Sequence, residues 1–93
     1  MYHGILVRIR EKIRSRQYIV AEHARKEMNI DLLTIFDIEH AILTGEILER
    51  QRDPETFEPK YRIRGRSLGS GWIETIVKMT PTGKVVVITV YTI

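Results

Sequence analysis

The apolar residues of this chain follow a helical period up to Gly45 and a period of two beyond it, and the switch happens once. A chain that spends its helices first and its strands afterwards has no interleaved crossovers from which to build a parallel sheet. Residues 5–16 carry Ile5, Ile9 and Ile13 at i, i+4 and i+8, with Arg8, Lys12 and Arg16 in a parallel row and Arg10 and Arg14 beside it. That pattern predicts an amphipathic basic helix whose polar side either meets phosphate or is simply solvated. Tyr18-Ile19-Val20 reads as a short extended or turn segment. Residues 21–29 read as a short helix, with Asn29 as a left-handed stop. The strongest start signal is Thr34, which can cap, with Asp37 three residues on and Leu33 placed as a staple. Ile38, Ala41 and Ile42 continue that helix, and Gly45 ends it.

Beyond Gly45, residues 46–51, 59–66, 71–79 and 84–92 read as strands. An acidic loop covers 52–58, and turn chemistry sits at 67–70 and 80–83. The fold class expected is α+β, with N-terminal helices packed on one face of a C-terminal four-stranded, mainly antiparallel sheet. Residues 1–93 form a single domain in this reading, a length that can close a core without staples.

Alternation then assigns faces. A hairpin closed at 80–83 sets Met79 against Lys84, Val77 against Val86, Thr75 against Ile88 and Ile73 against Val90, an apolar set facing the helices. The other face receives Trp72, Glu74, Ile76 and Lys78 together with Tyr91, Thr89, Val87 and Val85. Pairing the preceding strand places Arg64 opposite Glu74 and Arg62 opposite Ile76, with Tyr61 and Ile63 on the helix side. Arg62, Arg64, Glu74, Thr89 and Tyr91 therefore gather on one face, and a slip of one residue would scatter them. These are residue types that phosphodiester chemistry uses: guanidinium groups to neutralise a phosphorane, a carboxylate or histidine to move protons, a phenol to position or donate. The same residues also make an ordinary solvated face with a cross-strand Arg64–Glu74 ion pair.

Charge is segregated along the chain. Residues 1–26 carry +5, residues 27–58 carry −7 and residues 59–93 carry +5, leaving +3 in total. The two basic segments either converge on an anion or neutralise the acidic one. With no cysteine there is no disulfide framework, thiolate nucleophile or thiolate metal site, which fits a cytoplasmic location. The opening run is broken by Arg8, so it reads as neither a signal peptide nor a membrane span. His23 and Glu27, four apart on one helix, can pair. No third ligand stands at metal spacing, so neither a metal nor another cofactor is expected. Gly69-Ser70-Gly71 precedes no helix and is not a phosphate loop.

His23-Ala24, Met28, Leu33-Thr34-x-x-Asp37-Ile38-x-x-Ala41-Ile42, Gly45-Glu46-Ile47 and Val87-Ile88-Thr89-Val90-Tyr91 together resemble the small bacterial family named domain of unknown function 4258, over roughly residues 18–92. That resemblance implies kinship with the barnase–EndoU–colicin–RelE fold of metal-independent ribonucleases, many of them toxins held in check by a cognate antitoxin protein. It also implies that His23, Thr89 and Tyr91 belong to the site. Two positions depart from the family pattern: Glu27 stands where an arginine is usual, and Ala21 where a threonine is common. Either Arg62 or Arg64 replaces the missing arginine, or the protein is an inactive member. The expected activity is a metal-independent endoribonuclease working through 2′-hydroxyl attack, with RNA as partner. The alternatives are a non-catalytic RNA- or protein-binding module and a small homodimer paired through its sheet.

Overall fold

A computed structural model describes residues 2–93. In chain order the elements are α1 (His3–Arg14), β1 (Tyr18–Val20), α2 (Glu22–Ile30), α3 (Ile35–Thr44), β2 (Glu46–Arg52), β3 (Pro59–Arg66), β4 (Trp72–Met79) and β5 (Val85–Thr92). The sheet has five strands in the order β1-β5-β4-β3-β2. Four form the antiparallel meander expected after Gly45. The fifth corrects that expectation: β1 pairs with β5 in parallel, Tyr18 with Val85 through Val20 with Val87, so the sheet is mixed. Three residues are too few to display a period, which is why the segment read only as extended or turn.

The helices end on backbone geometry that the sequence disguises. In α1, the Gln17 amide donates to the Lys12 carbonyl (2.8 Å) and Arg16 to Ile13 (3.1 Å), with Arg16 left-handed at φ 58. α2 repeats this, Leu33 donating to Met28 (2.8 Å) and Leu32 to Asn29 (3.4 Å), with Leu32 at φ 56. Both are Schellman closures whose left-handed position holds a residue other than glycine. So α1 stops at Arg14 rather than Arg16, and α2 runs one residue past Asn29. α3 starts as its sequence predicts: the Asp37 amide donates to Thr34 Oγ1 (3.3 Å) and the Thr34 amide to Asp37 Oδ2 (2.8 Å). Its C-terminal carbonyls are met by Arg10, which donates to Ile42 O (3.2 Å) and Gly45 O (2.6 Å). A cation from beside the basic row of α1 thus complements the negative end of a helix dipole.

One core lies between the helices and one sheet face. It joins Ile9 and Ile13 of α1, Ala24 and Met28 of α2, and Ile38, Ala41 and Ile42 of α3 to Ile63, Ile73, Val77, Val87 and Val90 of the sheet. α3 approaches β3 so closely that a Cβ on Gly65 would overlap the Ala41 carbonyl, and only glycine fits there. The second basic segment points the other way, because burying Tyr61, Ile63 and Gly65 turns Lys60, Arg62, Arg64 and Arg66 out from the helices. The two basic segments therefore lie on opposite sides of the sheet.

The β4–β5 register departs from simple alternation. The Thr80 amide donates to Lys84 O (2.8 Å), closing the hairpin one residue later than expected, so Met79 pairs with Val85 and Val77 with Val87. A bulge then leaves Ile88 unpaired, and Thr89 meets Ile76, Val90 meets Thr75 and Tyr91 meets Glu74. Val85 and Val87, expected on the open face, are buried in the core.

Candidate functional site

β3 and β4 set the open face. Their register joins Arg64 to Glu74 and Arg62 to Ile76, as the alternation predicts, and it also joins Arg66 to Trp72. Glu74 lies between the two arginines and binds both. Arg62 Nη1 donates to Oε1 at 2.9 Å, while Arg64 donates to Oε2 from Nε at 3.0 Å and from Nη2 at 2.7 Å. The Tyr91 hydroxyl also donates to Oε1. These donors cover the carboxylate, whose side chain is only 3% exposed on a face that no helix covers.

Electrostatics follow from that enclosure. Burial pushes the Glu74 carboxyl up, but the Tyr91 hydroxyl and the two guanidinium groups more than offset it and hold the carboxyl at about 2. Glu74 is therefore an ionised organiser of its neighbours. Its hydrogen bond, with burial and its negative charge, raises the Tyr91 phenol, which keeps its proton. The hydrogen bond to Glu74 likewise raises Arg62, against some desolvation. Arg62 Nε also donates to Glu49 Oε1 at 3.2 Å, and Gln51 Nε2 donates to the same oxygen at 2.8 Å. Part of the acidic middle segment thus neutralises the second basic one, and Lys78–Glu58 at 3.5 Å is another such pair.

His23 stands at the rim. Its side chain is 70% exposed, and Nε2 lies 3.4 Å from Glu27 Oε1. The same oxygen accepts the Val90 amide at 3.1 Å. One carboxylate therefore ties the imidazole to β5 beyond the point where β1 stops pairing, between Thr89 and Tyr91 in sequence. Asp31 repeats the arrangement one helical turn on, its Oδ2 accepting the Thr92 amide at 3.2 Å. Glu27 thus both orients a histidine and closes a strand edge. Thr89 is half-buried on the open face opposite Ile76.

Arg62, Arg64, Glu74, Thr89 and Tyr91 thus share one face, four of them in a single network, while His23 reaches the edge of β5 only through Glu27. Sequence reasoning missed Glu49, because its place depends on a bulge at Leu48. It also passed over Arg66, although Arg66 continues the alternation of Arg62 and Arg64. Its guanidinium carbon lies 3.8 Å from the centroid of the Trp72 ring. Among the described residues, no three His, Asp or Glu groups come together as a metal would need. No described helix is long and apolar enough to cross a membrane.

The class so defined is a small α+β protein with three helices on one side of a five-stranded sheet and an Arg–Glu–Tyr network on the other. The chain belongs to the family described as Domain of unknown function (DUF4258), whose model matches residues 20–92. No curated protein and no solved structure matches it.

Proposed function

We propose that the open sheet face binds RNA and that the protein cleaves it as a metal-independent endoribonuclease of the toxin type. The observation that carries this reading is the Arg62–Glu74–Arg64–Tyr91 network on a helix-free face, with His23 tied through Glu27 to the Val90 amide, next in sequence to Tyr91. In this reading Arg64, whose side chain is 43% exposed, and Arg62 neutralise the scissile phosphate with the donor capacity that Glu74 leaves them. His23 takes the proton from the 2′-hydroxyl, whose oxygen attacks phosphorus. The bond to the 5′-oxygen breaks, and that oxygen takes a proton from solvent. The products are a 2′,3′-cyclic phosphate and a 5′-hydroxyl end. Glu27 fixes the imidazole and stabilises it when charged. Tyr91 and Thr89 position the nucleotide, and Glu74 holds the arginines and the phenol without itself reacting.

The test is incubation of a short single-stranded RNA with the protein in EDTA. Cleavage should leave a cyclic phosphate. It should fall by about 10²-fold or more in His23→Ala, the scale of a lost proton-transfer group. Melting temperature should hold, since the ring is exposed. A strand with deoxyribose at the cleaved position should bind and stay intact. RNA left whole by the wild type, but retained on the protein at low salt, would replace this reading with that of a binding module.

A further inference from the structure

Beside Arg64 the open face carries a cleft of about 360 Å³, bounded by Thr44, Gly45, Glu46, Leu48, Arg64 and Trp72. Building on the RNA reading above, we infer that this cleft is a nucleobase subsite that selects guanine. Its size falls in the range of small-ligand sites. Trp72 supplies a flat apolar wall, 45% exposed, and the Arg66 guanidinium braces the ring from one side. Base–aromatic stacking needs such a platform, and it accepts any base.

Selection comes from the polar groups on the wall. The Gly45 carbonyl is occupied by Arg10, and Thr44 Oγ1 donates to His40 O at 2.7 Å. Glu46 differs. Cross-strand from Arg64 in the register, it has no ion-pair or side-chain hydrogen-bond partner among the described residues. A carboxylate only accepts, and it offers two oxygens side by side. Guanine presents N1–H and the N2 amino group side by side on its Watson–Crick edge and can satisfy both. Adenine and cytosine each present one amino group next to a ring nitrogen that repels a carboxylate. Uracil presents one N–H between two carbonyl oxygens. Arg64 at the mouth of the cleft is placed for the phosphate of the same nucleotide, which links base choice to the network around Glu74.

Trp72 is the only tryptophan in the chain, so its fluorescence reports on this cleft directly. The experiment is titration of the full-length protein, in EDTA, with the 3′-monophosphates of guanosine, adenosine, cytidine and uridine. Guanosine monophosphate should quench to saturation and bind about tenfold tighter than the other three, the discrimination expected of one bidentate pair. Glu46→Gln, an exposed change that leaves the tryptophan in place, should keep the quenching and remove most of the preference. Quenching by none of the four overturns the subsite, and equal quenching by all four overturns the role of Glu46. A preference that survives Glu46→Gln assigns selection to another group and overturns that role too. The readout requires no cleavage. Guanosine-selective quenching by a protein that leaves RNA intact would refute the ribonuclease reading and uphold the subsite, whereas cleavage without quenching would do the reverse.

Discussion

Replacing Glu74 with glutamine should reveal how much of the fold rests on a residue that faces away from the core. The folded carboxyl sits at about 2 and the ordinary value is 4.5. At about 1.4 kcal/mol per pH unit, that gap corresponds to about 3 kcal/mol of stability. The group's folded value lies below its unfolded value, so between pH 4.5 and 2 the unfolded chain binds the proton more readily. The contribution is therefore complete above pH 4.5 and lost as pH falls to 2. Glutamine keeps the shape and cannot ionise, so it approximates the protonated residue at every pH. Arg62 and Arg64 keep 29% and 43% of their side-chain surface exposed, so water can partly replace the lost acceptor. The cost should thus stay nearer 2–3 kcal/mol, at or below the low end of the range for breaking a fully buried pair, about 3–5 kcal/mol. Urea unfolding of both proteins across a pH series measures the difference, with a midpoint gap of about 1 M or more at pH 6 that closes toward pH 2. The carboxyl of Asp37 is also held below its ordinary value, chiefly by the Thr34 amide, but it is common to both proteins and cancels. A gap that stays constant across the series, or one below about 0.5 kcal/mol at pH 6, a size typical of exposed pairs, would refute the reasoning.

Two core predictions use the same assay. Gly65→Ala should cost about 3 kcal/mol or more, because the new methyl meets the Ala41 carbonyl, a backbone group of a packed helix that cannot swing aside. Gly69→Ala, where the nearest atom is 3.9 Å away, should change little. Thr75→Val should raise stability by about 1 kcal/mol, since the Thr75 hydroxyl is buried without a hydrogen-bond partner and the substitution keeps the shape. A loss of stability there would reveal a partner for that hydroxyl.

The parts of the fold legible in the sequence are those that short-range chemistry decides. Thr34 and Asp37 close on each other three residues apart, and the strand containing Arg62, Arg64 and Arg66 alternates cleanly because Tyr61 and Ile63 are large and apolar between them. What stayed hidden depends on partners distant in the chain. Tyr18-Ile19-Val20 becomes a strand only because the meander returns β5 beside it. Arg10 looks like one more cation on a basic helix until Ile42 and Gly45 place their carbonyls within its reach. The left-handed Arg16 and Leu32 carry no glycine to advertise them. The aggregate charge was the least informative signal, because the two basic segments end on opposite sides of the sheet.

The bulges decide whether the site exists at all. Strict alternation along β5 from the buried Val85 and Val87 would carry Tyr91 to the helix side and expose Val90. The extra residue, Ile88, reverses the parity, so Val90 stays in the core while Thr89 and Tyr91 emerge where Glu74 waits. β2 repeats the device. From the buried Ile47, alternation would turn Glu49 inward, but an irregularity at Leu48 sets Glu49 opposite Arg62 on the open face. The two outer strands of the meander thus each carry one extra residue, and each thereby adds one member to the network around the β3–β4 pair. The hydrophobic core gains nothing from either, since an unbroken β5 with one residue fewer would bury the same valines. A bulge disrupts the ladder and leaves a residue unpaired, so a pair of them aimed at one cluster is a cost that packing does not explain. What they produce is a phenol hydrogen-bonded to Glu74 and a second carboxylate on Arg62, contacts that simple alternation along either strand would have lost.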